Sequence, residues 1–235
     1  MSHHAVVSRD EWLAARRHHL VKEKELTRMR DRLSQERREL PWVEVEEDYV
    51  FDGPDGKQTL AELFDGRGQL IIYHFMFHPS WEEGCKSCSF FADGFDPLVV
   101  HLNHRDVTMV AVSRAPFEQL QAYQKRMGWS FKWVSSGDSS FNRDYHVSFT
   151  PEEMEKGEMF YNFQTTSFPS EEGPGLSVFR KTEDGKVYHT YSCYARGLDS
   201  LLGTYAFLDL VPKGRDEADL PYTMAWLRHH DRYQD

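Results

Sequence analysis

The sequence predicts an α/β domain built on parallel strands and preceded by a helical arm. Two strand-sized apolar runs, at 69–77 and 107–113, alternate with segments of helical period. Alternation of this kind implies parallel strands joined by right-handed crossovers. A hairpin signal then follows, Asp184-Gly185 between two runs of strand character. Upstream, a highly charged stretch opens on a capping box and stops at Pro41.

Taken in order, Ser8-Arg9-Asp10-Glu11 is the capping box, and the helix it starts is expected to run to about residue 38. Its apolar positions, Leu13, Leu20, Leu26, Met29, Leu33 and Leu40, form a narrow stripe suited to packing on the body of the protein or to a homodimer contact. After Trp42 the texture changes. Val43-Glu44-Val45-Glu46 alternates and leads into Tyr49-Val50-Phe51 and the turn Asp52-Gly53-Pro54-Asp55-Gly56. Thr59 caps a short helix. Residues 69–77 have little polar alternation, as an inner strand should.

A loop then carries two cysteines, and a helix is expected over 85–101. The second inner strand, 107–113, precedes a helix over 116–127 with Pro116 at its first position and Gly128 at its end. A short strand is expected at 131–135. Residues 137–175 show no clean period and read as an insertion, within which Pro151 opens a short helix. A hairpin over 176–193, a helix over 199–209 and a helical tail with apolar Met224, Trp226 and Leu227 complete the chain. The division is therefore an arm at 1–41 and a domain at 42–235.

A formal net charge of −10 argues against a nucleic-acid footprint, which needs a basic face. No apolar run approaches the length of a membrane span, and Met1 to Asp10 lacks the apolar core of a signal peptide. Three cysteines are too few for a disulfide scaffold and point to a reducing compartment, so a cytoplasmic location is expected.

The chemistry is expected in Trp81-Glu82-Glu83-Gly84-Cys85-Lys86-Ser87-Cys88, which follows an inner strand and opens a helix. Cysteines three apart on a helix share a face, close enough to open and close a disulfide with little backbone movement. The helix N-terminus favours a thiolate at Cys85, and Lys86 acts in the same direction, whereas nearby Glu82 and Glu83 oppose it. Cys85 is then the attacking thiol and Cys88 the resolving one. Asp93, two turns along the same face, is a candidate proton acceptor for Cys88 or a surface carboxylate. Trp81 is a candidate wall of the site.

Strand, Trp-x-x-x-Cys-x-x-Cys, helix, strand, helix, then Gly173-Pro174-Gly175 before a hairpin resembles the thioredoxin superfamily over about 42–209. The resemblance implies a thioredoxin-like mixed sheet with flanking helices. It also places Pro174 where that superfamily carries a cis-proline beside the cysteines. More narrowly, Gly84 to Asp93, Tyr194 to Asp199 and Leu201 to Tyr205 resemble a bacterial group described as predicted dithiol-disulfide oxidoreductases. The activity this implies is thiol–disulfide exchange without an organic cofactor, on a protein or small-molecule disulfide, with a thiol system recycling the pair. Two departures stand out. Gly84 occupies the place of the Trp that precedes the first cysteine in thioredoxin, and Glu82 replaces the Thr or Ser of the peroxiredoxin pattern.

Three other functions fit parts of the sequence: a thiol-dependent peroxidase, a binding module that kept the fold, and half of a zinc site. No second Cys-x-x-Cys supports the last, and a complete site would need His74, His78 or His189 brought in by the fold. Cys193 reads as a small buried hydrophobe and His78 as a structural histidine. The stretch 159–163 and Phe168 either line a groove above the cysteines or pack on the core. The pairs His3-His4, His18-His19 and His229-His230 read as solvated.

Overall fold

A computed structural model describes residues 4–137 and 139–234, in two compact units, Met1–Pro41 and Trp42–Asp235. His3 lies outside the described residues. The first unit is one helix, α1 (Arg9–Arg38). The Ser8 hydroxyl accepts from Glu11 N–H, and the Glu11 carboxylate accepts from Ser8 N–H at 2.9 Å, which satisfies two of the unpaired donors of the first turn. Arg37 and Arg38 complement the dipole at the other end.

The second unit contains strands β1 (Val43–Glu44), β2 (Val50–Gly53), β3 (Gly56–Thr59) and β4 (Gln69–His74), then helices α2 (Lys86–Phe95) and α3 (Val99–Asn103). Strand β5 (Val107–Ser113), helix α4 (Phe117–Met127) and strand β6 (Lys132–Ser135) follow. The insertion holds α5 (Phe141–Asp144), α6 (Pro151–Lys156), β7 (Met159–Tyr161) and β8 (Gln164–Thr166). The chain continues through β9 (Gly175–Lys181), β10 (Val187–Tyr194) and α7 (Gly203–Leu208).

One sheet has the order β1-β10-β9-β4-β5-β6-β2-β3. Strands β4, β5 and β6 are parallel, with Ile72 opposite Val110 and Ala111 opposite Trp133, and β9 and β10 extend the sheet antiparallel from β4. This is the thioredoxin-like mixed sheet with flanking helices, and the N-terminal helix is present. Both crossovers lay their helices on one face. There Tyr73, Phe75, Ala111, Trp133 and Leu176 meet Phe91, Ala92 and Phe95 of α2 and Leu120, Tyr123 and Met127 of α4. The other face packs Leu70, Ile72, Val110, Val112 and Phe179 against Phe51, Leu63, Phe64, Phe141 and Tyr145. Period-two alternation along β4 thus sends Tyr73 toward the cysteine-bearing helix and Ile72 and His74 away from it.

Several boundaries differ from expectation for local reasons. The helix expected over 85–101 breaks at Asp96-Pro97 into α2, a 3-10 turn (Asp96–Leu98) and α3, because Pro97 lacks the N–H that would continue the ladder. Pro116 is the cap of α4 and not its first residue. The helix expected over 199–209 is a 3-10 segment (Ala195–Leu201) followed by α7. The tail is irregular apart from a 3-10 turn at His230–Arg232.

On the face away from α2, four polar side chains form a chain. His74 Nε2 lies 2.8 Å from Ser177 Oγ, Ser177 Oγ 2.8 Å from Ser192 Oγ, and Ser192 Oγ 2.7 Å from His189 Nε2. His74 is fully buried and its Nδ1 has no partner among the described residues, so burial drives its pKa down to about 3. The unfolded chain takes up this proton near pH 6.5 and the folded chain does not, so stability is lost as pH falls below about 6.5. Burial lowers His189 as well, in the same direction. Replacing His74 by Gln, which does not titrate, is expected to remove about 2 kcal/mol of the stability difference between pH 7 and pH 5. Thermal melts of both proteins at the two pH values measure this.

Candidate active site

Strand β4 delivers the chain through Phe75, Met76 and Phe77, all buried, into the loop that carries Cys85. Gly84 is needed there. A Cβ on it would stand 2.7 Å from Phe75 Cε1 and 3.0 Å from Tyr123 Cε1. The Gly84–Cys85 peptide is held from both sides, since Cys85 N–H donates to Met76 O at 3.1 Å and Gly84 O lies 2.9 Å from His229 Nε2. Cys85 is therefore the N-cap residue of α2, with extended φ −54° and ψ 129°, and Cys88 sits one turn inside the helix.

This placement separates the two thiols. Cys85 is half-buried and Cys88 is buried. A hydrogen bond from Cys88 pulls the Cys85 pKa down to about 7, aided by the backbone N–H groups of Cys88 and Ser87 and the Ser87 side chain, against the opposing effect of burial. Burial pushes the Cys88 thiol well up, and its bond to Cys85 adds to this. Tyr73 and the Met76 N–H, 3.4 Å from Cys88 Sγ, offset part of that rise. Carbamidomethylation of Cys85 by iodoacetamide is expected to rise through a midpoint near pH 7, with Cys88 unmodified throughout pH 5–9. Peptide mass mapping reads both, and a Cys85 midpoint at the 8.5 of a free thiol would contradict the geometry.

The candidate residues divide. Cys85, Cys88 and Pro174 line one groove of about 910 Å³, together with Tyr73, Met76, Phe91 and Phe168. No cis peptide bond occurs among the described residues, so Pro174 has the trans form and not the cis form of the superfamily. Trp81 is half-buried against the core cluster, its carbonyl accepting from Gln119. Lys86 turns to the tail, where Nζ donates to Ala225 O at 3.4 Å and lies 5.7 Å from the centre of the Tyr222 ring. Asp93 Oδ1 accepts from Trp129 Nε1 at 2.8 Å and meets His230 Nδ1 at 2.7 Å, and so acts as a clamp between α2, the α4–β6 turn and the tail. Glu82 is exposed, whereas Glu83 is engaged by Arg126 and Arg232.

Of the aromatic stretch, Met159 and Tyr161 are buried against Val147, Phe149 and Tyr194, while Phe160 and Phe163 are exposed and only Phe168 reaches the groove. His78 makes a local turn with Ser80. Cys193 is buried in the core cluster.

Tyr73, His229 and residues 195–224 were not expected at the site. His229, read from sequence as solvated, is 9% exposed and bonded to Gly84. Arg126 Nε donates to Asp231 at 2.8 Å and Arg126 Nη1 to Glu83 at 2.6 Å, which fixes the tail to α4 beside the cysteine loop. The far wall of the groove is organised by Glu217, whose Oε1 accepts from Tyr205 Oη, Met224 N–H and Trp226 Nε1 at 2.6–2.9 Å.

No group of three or more potential metal ligands occurs among the described residues, and no helix there is long and apolar enough to cross a membrane. No protein of curated function matches the chain. Among solved structures, peroxiredoxin Q of Xanthomonas campestris is similar at 16% identity, over 66% of this chain and 87% of that one, with a TM-score of 0.44. Peroxidoxin BcpB of Mycobacterium tuberculosis is similar at 12% identity, over 70% and 95%, with a TM-score of 0.45. A hypothetical protein of Sinorhizobium meliloti 1021 is similar at 15% identity, over 61% and 66%, with a TM-score of 0.38. The model of a family of bacterial proteins of unknown function, DUF899, matches residues 1–233, and the chain therefore belongs to that family.

Proposed function

We propose that the chain is a dithiol/disulfide oxidoreductase acting by thiol–disulfide exchange at Cys85 and Cys88. The observation that carries this reading is the asymmetry of the pair on one groove: a half-buried thiol with a lowered pKa at the helix cap, and a buried, protonated thiol one turn deeper. The Cys85 thiolate attacks one sulfur of a substrate disulfide. The substrate S–S bond breaks, a mixed disulfide forms on Cys85, and the first substrate thiolate leaves. Cys88 then attacks Cys85 Sγ and its proton passes to the second departing thiolate. The substrate is reduced to two thiols and the protein is left with a Cys85–Cys88 disulfide. A cellular dithiol system, in a reducing cytoplasm, returns the pair to its starting state. Two electrons move through sulfur alone, so no organic cofactor enters the balance.

The test supplies the reduced protein with bis(2-hydroxyethyl) disulfide and, separately, with hydrogen peroxide. Reduction of one disulfide per protein, lost in Cys85→Ser, is expected. Peroxide consumption with a sulfenic acid on Cys85, and no disulfide turnover, would replace this reading with a thiol peroxidase.

A further inference from the structure

The groove over the cysteines has a chemical character that narrows the substrate. Resting on the exchange reading above, we infer that it takes a neutral, apolar low-molecular-weight disulfide, not glutathione disulfide and not a disulfide in a folded protein. Its volume, about 910 Å³, lies in the range of small-molecule sites. Phe91, Phe168, Leu198, Leu202 and Met224 give it apolar walls around Cys85. Residues between Ala195 and Met224 line the same groove as the cysteines, where a protein substrate would need an open surface.

The charged groups of the groove are consumed by one another. Arg215 donates from Nε and Nη2 to Asp209 at 2.8 Å and from Nη1 to Asp199 at 3.1 Å, and stacks 4.0 Å from the centre of the Tyr205 ring. Arg196 pairs with Asp199 at 2.8 Å, and Glu217 Oε1 already accepts three hydrogen bonds. Two guanidinium groups, of which Arg196 is largely exposed, face three carboxylates, and this net negative lining disfavours an anionic ligand such as the glutathionyl group. What remains for binding is apolar area, which favours an uncharged hydrocarbon substituent on sulfur.

The test uses mixed disulfides that share one leaving group, 2-thiopyridone, and differ in the other half: 2-phenylethyl, 2-hydroxyethyl and glutathionyl. The fully reduced, desalted protein is mixed with each by stopped flow. The rate constant for thiopyridone release is divided by that of 2-mercaptoethanol with the same reagent. The 2-phenylethyl compound is expected to react about tenfold faster than the other two, as burial of a phenyl group at the reacting stage would give. Phe168→Glu and Met224→Glu, each on a different wall, are expected to cut that ratio to about threefold or less. A ratio near one in the wild-type protein, or a preference for the glutathionyl compound, overturns the inference while leaving the exchange reading intact. Faster reduction of insulin disulfides than of the phenylethyl compound does the same. Release no faster than that of Cys85→Ser removes the exchange reading and the inference with it.

Discussion

Replacing Cys88 by Ser is expected to turn the protein from a catalyst into a trap. Cys85 keeps its place at the cap of α2, and Met76 O still fixes its backbone. It therefore still attacks the substrate, but the mixed disulfide has no internal thiol to resolve it and accumulates. Intact-protein mass spectrometry should show the substrate half attached to Cys85, and steady-state turnover should fall on the order of a hundredfold or more. Cys85→Ser should lose both turnover and adduct, because the two remaining thiols, Cys88 and Cys193, are buried, and burial holds Cys88 protonated. An adduct on Cys88 in that variant would reverse the assigned roles. The Cys85 pKa is expected to rise in Cys88→Ala, which has no donor, since the hydrogen bond from Cys88 is the largest cause of its depression.

The second large effect is expected at Gly84. An alanine there needs Phe75 or Tyr123 to move, and both rings belong to a packed aromatic cluster with Trp129 and Trp133. Overpacking of this kind costs about 1–3 kcal/mol. At about 2–4 °C per kcal/mol, Tm should drop by several degrees. Because Gly84 is bonded to Cys85 and its carbonyl meets His229, the same substitution should displace the thiol and slow its alkylation at pH 7. Gly94 is the control. It is exposed in α2, a Cβ there meets nothing within 4 Å, and Gly94→Ala should leave alkylation unchanged and raise stability by up to about 1 kcal/mol. Equal behaviour of the two variants would show that Gly84 is not a packing constraint.

The elements legible in the sequence are those whose signals are local. The capping box at Ser8, the apolar run of β4 and the run of β5 each specify their element within a few residues, and the site's cysteines fall at a strand-to-helix junction readable from the same pattern. The β7–β8 hairpin was illegible because its turn is Asn162-Phe163, both at positive φ, with Phe where a glycine would have announced it. The break at Pro97 had a local signal that the apolar period on either side obscured. The roles of Tyr73, Glu217 and His229 had no local signal. The His229–Gly84 contact spans 145 residues of chain, and from sequence alone a His-His pair near a charged terminus reads as solvated. The same distance in sequence explains Lys86 and Asp93. Their proximity to the cysteines along the helix was readable, whereas the tail groups that claim them were not.

The most direct measurement is a redox titration of the purified protein, with free thiols counted by mass in glutathione buffers of stepped potential. The account predicts a single two-electron transition that is absent in Cys85→Ser and in Cys88→Ser and retained in Cys193→Ser. If no Cys85–Cys88 disulfide forms at any potential in the range, the two cysteines do not work as a redox pair and the exchange mechanism is wrong.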